Sequence, residues 1–444
     1  MDVLIKASQL ILSLSILVVL HELGHFLPAK WFGMRVEKFY LFFDPWFSLF
    51  KIKKGGTEYG IGWIPLGGYV KISGMIDESM DKEQMKKPPE SWEFRSKPAW
   101  QRLIVMVGGV TMNLILAMVI YAMLLFTFGE KYLPTANMKD GIWCIDSLAE
   151  DVGFRNGDKI ISVDGKKVEN FQNVTHEMLY AKNVQIERNK KDTTLIIPKD
   201  FIEKLIDKRA PFLYPRIPFL IGGFSENSNA EKAGIKKKDR VIALNDSAFK
   251  YYDEFRAIIA PFKNQTVKLK VVREKETLDV SVNVDSTGKI GVSPGFMDLK
   301  SLRSAGIYDF SVTQYGFFAS FPKGIEKAIE KLSDYIRQFK LIFNFETGAY
   351  KGVGSFISIG DLFPAQWEWE PFWELTAILS VVLAFMNILP IPALDGGHVM
   401  FLLYEVITRR KPSDKFMEYA QYVGMFLLIS IMVYALGNDI LRLF

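Results

Sequence analysis

The sequence predicts a multi-pass α-helical membrane protein with four transmembrane helices, a membrane-associated β-hairpin region and two tandem β-rich domains. Three observations lead to this prediction. Of the 444 residues, 49% are hydrophobic and 24% are charged, a mixture that favours membrane spans joined to polar domains. Four apolar runs approach the roughly 20 residues that cross a hydrocarbon core. A twelve-residue pattern also recurs 81 residues further along the chain, which indicates a duplicated module.

The first apolar run, Ala7–Leu20, leads directly into the motif HELGH at residues 21–25. No small-x-small cleavage site follows it, so we expect a retained span rather than a signal peptide. On a helix, His21 and His25 share one face and can bind one metal ion, while Glu22 is placed to accept a proton from an attacking water. A histidine in an apolar segment is more often a buried structural residue, but this spacing favours zinc. The sequence therefore predicts a zinc site at membrane depth, where ionisable groups are costly and usually functional.

The segment Tyr59–Ile72 reads YGIGWIPLGGYVKI and predicts a hairpin with an irregular turn. It is either an ordinary surface hairpin or one that dips into the membrane beside the metal and binds a substrate as an added strand. The second hypothesis requires a cavity lined by protein or water, because lipid-exposed strand edges do not occur. The residues expected to contact the substrate are Gly60, Ile61, Gly62, Trp63, Gly67, Gly68 and Tyr69. The polar stretch 76–97 predicts a cytoplasmic loop.

The remaining predicted spans are Leu103–Gly129, Leu375–Leu394 and Tyr419–Asn438. The second span opens with GGVTMN, whose glycines favour close helix packing and whose Asn113 reaches either a neighbouring helix or the active site. Lysine and arginine are concentrated between spans one and two and between spans three and four. Both termini and the long region from Glu130 to about Pro371 are therefore expected on the side opposite the cytoplasm, with the HELGH motif near the cytoplasmic end of its span.

The long outer region contains the repeat. Residues 153–164 read GFRNGDKIISVD and residues 234–245 read GIKKKDRVIALN. In each copy an aspartate starts a strand of alternating apolar residues, and a helix is predicted afterwards, at Phe171–Tyr180 and Tyr252–Ile259. Further along, apolar residues recur every three or four positions between Gly324 and Phe343, which predicts an amphipathic helix that lies on the membrane or packs on the modules. The aromatic-rich stretch Glu346–Trp373 is typical of a membrane interface.

A third metal ligand is predicted where span three ends, in MNILPIPALDGGH at residues 386–398. Pro390 and Pro392 must break the helix, and the two glycines predict a tight turn. Asp395 then lies at membrane depth, where a carboxylate is costly unless it meets a cation. Two histidines, one carboxylate and a water make a four-coordinate catalytic zinc site. His398 is the competing third ligand, and its other role would be a polar cap on the turn.

The residues quoted above resemble the site-2 protease family of intramembrane zinc metalloproteases. The likeness rests on HELGH, GGVTMN and NILPIPALDGG, and covers nearly the whole chain. The repeated modules resemble bacterial PDZ domains. The resemblance implies that His21, His25 and Asp395 bind zinc, that Glu22 is the catalytic base, and that Asn387 contacts the substrate or the developing oxyanion. It also implies a bacterial inner-membrane location and the cleavage of single-span membrane proteins, such as an anti-sigma factor already cut outside the membrane, or signal-peptide remnants.

On this basis the chain divides into five parts: two transmembrane helices with a cytoplasmic-side hairpin region (1–128), a first PDZ-like domain (129–216), a second (217–300), an amphipathic helix with an interface segment (301–371), and two further transmembrane helices with the third ligand (372–444). The predicted partners are substrates and the lipid bilayer. A net charge of +5 without basic runs that alternate with aromatics argues against nucleic acid. The alternatives are a non-catalytic PDZ membrane scaffold and a zinc transporter, which would need polar residues along several spans.

Overall fold

The structure is a computed structural model that describes residues 2–75, 88–208, 211–296 and 299–442. The chain forms two compact units. We call residues 1–129, 314–344 and 350–444 the membrane unit, and residues 130–313 with 345–349 the module unit. The predicted loop 76–97 falls partly on residues 76–87, which lie outside the described residues. Its remainder contains a short 3-10 helix, Phe94–Ser96, in which Phe94 is buried.

The membrane unit begins with two long helices and four strands. They are α1 (Asp2–Trp31), β1 (Val36–Phe43), β2 (Phe50–Lys54), β3 (Thr57–Ile61), β4 (Ile64–Ile72) and α2 (Ala99–Phe128). The strands form one sheet in the order β2-β3-β1-β4. The prediction of a hairpin over Tyr59–Ile72 is wrong, because β3 pairs with β1 in parallel and β4 pairs with the other edge of β1 in antiparallel. The true hairpin is β2–β3, which turns at Gly55 and Gly56.

The module unit is built from short strands and helices. They are β5 (Glu130–Tyr132), β6 (Ile142–Cys144), α3 (Ser147–Val152), β7 (Lys159–Val163), α4 (Val174–Met178), β8 (Asn183–Arg188), β9 (Lys191–Ile196), α5 (Phe201–Lys208), β10 (Leu213–Pro215), β11 (Ile221–Phe224), α6 (Asn229–Lys232), β12 (Arg240–Leu244), β13 (Ser247–Ala248), α7 (Tyr252–Ile259), β14 (Thr266–Arg273), β15 (Glu276–Asn283), β16 (Val292–Pro294), α8 (Leu299–Ser304) and β17 (Ser311–Thr313). The main sheets have the orders β7-β8-β9 and β13-β12-β14-β15. Strands β7 and β12 start directly after the repeated aspartates, at matching positions of the two copies.

The same aspartate–arginine pair stabilises both copies of the repeat. Asp158 accepts hydrogen bonds from Arg188 Nε (2.8 Å) and Nη2 (2.7 Å), and Asp239 accepts from Arg273 with the same two distances. Each arginine also donates to the carbonyl oxygen of the turn glycine, Gly153 or Gly234. The two copies are therefore built on one plan at the level of individual atoms, as well as in sequence.

The membrane unit is completed by five helices: α9 (Phe317–Ile342), α10 (Phe356–Asp361), α11 (Trp369–Ile388), α12 (Asp395–Thr408) and α13 (Asp414–Leu441). Within the described residues, four helices are long and apolar enough to cross a membrane, namely α1, α2, α11 and α13. The amphipathic helix α9 packs on two of them, since its Ala328 is buried in one cluster with Tyr121 of α2 and Val381 of α11. The sequence left open whether this helix lies on the membrane or packs on the modules, and the structure shows that it packs on transmembrane helices.

One feature of this last part differs from the sequence prediction. The predicted tight turn at Gly396 and Gly397 is wrong, because both residues lie in the first turn of α12, a helix that was not predicted from the sequence. The C-terminal end of α13 is anchored by Asp439, whose carboxylate accepts hydrogen bonds from the backbone N–H groups of Ser355 (2.8 Å) and Ser358 (3.1 Å). Those N–H groups would otherwise be unpaired at the start of α10, so the contact acts as a helix cap.

Candidate metal centre

Two helices of the membrane unit bring three polar side chains to one point. Helix α1 supplies His21 and His25, and the first residue of α12 supplies Asp395. Among the described residues, these three are the group whose donor atoms lie close enough together to hold a metal ion. His398, the competing third ligand, is outside this group, although it lines the same cleft.

The three donor atoms form a nearly equilateral triangle. The separations are 3.3 Å between His21 Nε2 and His25 Nε2, 3.2 Å between His21 Nε2 and Asp395 Oδ2, and 3.3 Å between His25 Nε2 and Asp395 Oδ2. Zinc with tetrahedral bonds of about 2.0 Å places its ligand atoms about 3.3 Å apart. The triangle therefore has the size that three ligands of one zinc ion require.

The surroundings of these atoms also fit a cation. Within the part of the chain that the structure describes, Asp395 Oδ2 is buried and has no hydrogen-bond partner. His25 Nδ1–H donates to the carbonyl oxygen of Val105 (2.8 Å), so a neutral His25 directs a lone pair from Nε2 towards Asp395. Electron-rich atoms that converge in a buried site repel one another unless a cation lies between them.

Asn113 of α2 contacts the other imidazole. Its Nδ2 lies 3.1 Å from His21 Nδ1, and the side chain is fully buried. Among the described residues its Oδ1 has no hydrogen-bond partner. Turning the amide by half a rotation lets Oδ1 accept from His21 Nδ1–H, which satisfies the oxygen and frees His21 Nε2 for a metal. The sequence left Asn113 between a helix neighbour and the active site, and the structure places it against a candidate ligand.

Helix α2 can approach the histidines because it carries a glycine there. A Cβ atom at Gly109 would collide with both imidazole rings, so a larger residue would displace the candidate ligands. The hydroxyl of Ser380 on α11 donates to the backbone oxygen of Asn113 (2.7 Å) and ties the third helix to this point. Small and weakly polar residues of this kind are typical of helix contacts in membranes.

The centre lies in a cleft of about 580 Å³. The cleft is lined by Glu22, by Asn387 and by β4, which is one of the two edge strands of the four-stranded sheet in the described part of the chain. Of the residues predicted to contact substrate, Gly67, Gly68 and Tyr69 line it.

The other four predicted substrate contacts lie elsewhere. Gly60 and Ile61 are in β3, on the far side of β1, and Gly62 follows them. Trp63 stacks on Phe47, with ring centroids 5.7 Å apart, and its Nε1–H donates to the Pro45 carbonyl oxygen (2.9 Å). Among the described residues, none of these four lines the cleft. The sequence grouped them with the residues of β4 because it treated one stretch of sequence as one hairpin.

Sequence reasoning gave no role to Gln421, a polar residue of the cleft wall. Gln421 of α13 lines the cleft and is 5% exposed. A lone amide within an apolar run was its only signal, and such residues are worth attention in a membrane helix.

Comparison with known proteins agrees with a metal centre of this kind. A family model described as Peptidase family M50 matches residues 9–431. The chain is 29% identical to the Regulator of sigma E protease of Haemophilus influenzae and 28% identical to Protease RseP of Yersinia pestis, in each case over 100% of both chains. It is also 27% identical, over 100% of both chains, to a Vibrio cholerae protein named "Putative zinc metalloprotease".

Proposed function

Since the chain belongs to peptidase family M50 and is a zinc metalloprotease of a bacterial membrane, we propose that it hydrolyses a peptide bond within the transmembrane segment of a single-span membrane protein. We assign His21, His25 and Asp395 as the zinc ligands. The observation that carries the assignment is the triangle of donor atoms with sides of 3.2 to 3.3 Å, formed by residues up to 374 positions apart (395 − 21).

The chain's own residues divide the chemistry between them. Bound zinc would lower the pKa of a water and polarise a peptide carbonyl group. Glu22 accepts the proton from that water and returns it to the leaving amine. Asn387, which lines the same cleft, donates a hydrogen bond from its amide to the substrate backbone or to the developing oxyanion.

Strand β4 offers the substrate a backbone template. It borders the cleft, and among the described strands its one neighbour is β1, so we infer that an extended segment of substrate adds along its other edge. A transmembrane helix conceals its carbonyl groups in hydrogen bonds and must unwind before it is cut. Strand addition at β4 replaces the lost hydrogen bonds and holds the unwound form in the cleft.

We further propose that the two modules are PDZ-like domains that bind peptide or exclude bulky uncut ectodomains. The substrates would be anti-sigma factors after a first cut, as the relative named for sigma E regulation suggests, or signal-peptide remnants, in regulated intramembrane proteolysis. The termini and modules would face the periplasm, because the lysines and arginines are concentrated in the loops at the other ends of the spans.

The test is cleavage of a model single-span substrate by wild type and Glu22→Gln, with zinc content measured in both. We expect Glu22→Gln to retain zinc and to lose about 10²- to 10⁴-fold in rate, the range for a general base. The matched control is Glu374→Gln, which changes an exposed glutamate of α11 and should cut like wild type. Equal cleavage by wild type and Glu22→Gln would contradict the catalytic assignment and favour a scaffold.

A further inference from the structure

The turn that joins α11 to α12 carries an unusual backbone conformation. Ala393 has a φ of 84°, in the left-handed region that residues with a Cβ atom rarely adopt. It lies two residues before Asp395, and the following Leu394 N–H donates to the Ile391 carbonyl oxygen (3.0 Å). Such a conformation persists where the surrounding structure holds it in place, often at a functional site.

Helix α13 supplies that restraint. Gln421 Oε1 accepts a hydrogen bond from the Ala393 N–H (3.2 Å), and the amide orientation is fixed because only its oxygen can accept. Gly424 packs against the same turn. A Cβ atom at Gly424 would collide with the Pro392 carbonyl oxygen, so the helix reaches the turn only because this residue is glycine. Two independent contacts of α13 therefore act on Pro392 and Ala393.

We propose that Gln421 is a positioning residue for the metal centre, which holds Ala393 in its left-handed conformation and so places the Asp395 carboxylate opposite the two imidazoles. This inference rests on the proposed role of Asp395 as a zinc ligand. Loss of the hydrogen bond lets the turn relax towards an ordinary conformation. The start of α12 then shifts, and Asp395 Oδ2 leaves its place 3.2 to 3.3 Å from the histidine nitrogens.

The competing explanation is that Gln421 only joins two helices. Polar side chains commonly do so in membranes, and their removal weakens packing without any specific effect on a metal site. The two explanations differ at Ala393. If the role of Gln421 is to hold a strained residue, replacing that residue by glycine, which adopts the left-handed region freely, must compensate for the loss of Gln421. Simple helix packing gives no such compensation.

The experiment measures zinc affinity by competition with a chelator, on full-length protein in detergent. Gln421→Met removes the acceptor at similar volume and should bind zinc about 10-fold more weakly, within the range for residues that orient metal ligands. Gln421→Glu keeps an acceptor oxygen and should bind nearly as wild type. The double variant Gln421→Met with Ala393→Gly should recover most of the affinity. Val423→Ala, at a position that is 65% exposed on the same helix, is the matched control.

Thermal unfolding of the zinc-free proteins checks that each variant folds. The proposal is overturned if Gln421→Met binds zinc as tightly as wild type. It is also overturned if the weaker binding persists in the double variant, because the loss then comes from helix packing. Neither result affects the proposed protease function as long as the wild type binds zinc and cleaves its substrate. A wild type that binds no zinc contradicts both.

Discussion

Asp395 in the membrane unit and Asp158 and Asp239 in the module unit are all sheltered from solvent, but their oxygens have opposite surroundings. The side chains of Asp158 and Asp239 are 1% and 2% exposed, and each carboxylate accepts three hydrogen bonds from an arginine and a backbone N–H. Asp395 is 16% exposed and faces two imidazole nitrogens, and among the described residues its Oδ2 has no hydrogen-bond partner.

The difference shows how a structural carboxylate can be told from one that binds a ligand. All three side chains are largely shielded from solvent, so shielding alone does not discriminate between them. A structural carboxylate has its charge and its lone pairs matched by donors within the fold. A carboxylate that faces other acceptors lacks that match, and a cation supplies it. By this criterion the arginine-paired aspartates are structural, and Asp395 has the surroundings expected of the metal ligand that we propose.

The largest expected effect separates these two classes. Asp395→Asn should lower zinc affinity by more than the roughly 100-fold that ligand-orienting residues account for, and should abolish cleavage, because a neutral amide is a poor zinc ligand. Asp239→Asn makes the same chemical change at an arginine-paired site and should leave zinc content unchanged. Metal analysis of both purified variants checks this. Similar zinc loss in both would erase the distinction.

The converse experiment removes the arginine of a structural pair, Arg188–Asp158. Arg188→Met leaves Asp158 buried without its partner, which costs about 3 kcal/mol, at the lower end of the range for a broken buried ion pair because the arginine is partly exposed. Hydrogen exchange in β7 and β8 of the full-length protein should become about 100-fold faster. The zinc affinity should not change. If exchange in these strands stays slow, the arginine pairs are not structural.

Asn113 tests whether the metal centre extends beyond its three candidate ligands. Asn113→Leu removes the partner of His21 Nδ1 and should weaken zinc binding by about 10- to 100-fold. Asn113→Asp keeps an acceptor and should bind zinc far better than the leucine variant. Thr111→Val, at an exposed position of the same helix, serves as the control in the chelator competition. Equal affinities of the leucine and aspartate variants would show that Asn113 does not orient His21.

The smallest effect concerns pH. Burial alone would raise the pKa of Asp239, but the hydrogen bonds from Arg273 and from the Lys236 N–H hold it below the ordinary value. A lowered pKa means that the stabilisation is complete above the unfolded value of about 3.9 and is lost as the pH falls through the folded value. Scanning calorimetry should therefore show the second module losing stability only below about pH 4. Asp239→Asn should flatten that dependence, and an unchanged profile would contradict it.

The structure brings together the three candidate ligands that the sequence named, and there is a physical reason why they could be found. HELGH fixes the spacing of His21 and His25 on any helix. An acidic residue in an apolar region is costly unless a cation or a hydrogen-bond donor lies beside it. The repeat likewise located β7 and β12, because the aspartate and the alternating pattern are local signals.

The errors came from contacts between distant segments. The pairing of β3 and β4 on opposite sides of β1 depends on a partner strand that lies outside the segment Tyr59–Ile72. The glycines at 396 and 397 read as a turn, but they lie in the first turn of α12, packed against the residues before it. Gln421 had only a weak local signal, an amide within an apolar run, and its partner is a backbone N–H 28 residues away. Single-sequence patterns carry no information on such pairings.

The most direct test of the central claim is X-ray absorption at the zinc edge on the purified wild type and on His21→Ala. The account predicts a four-coordinate shell of nitrogen and oxygen at about 2.0 to 2.1 Å, without sulfur, in the wild type. It also predicts the scattering of two imidazole rings, and the loss of one ring or of zinc itself in His21→Ala. A sulfur shell at about 2.3 Å, or an imidazole signal that His21→Ala leaves unchanged, would contradict it.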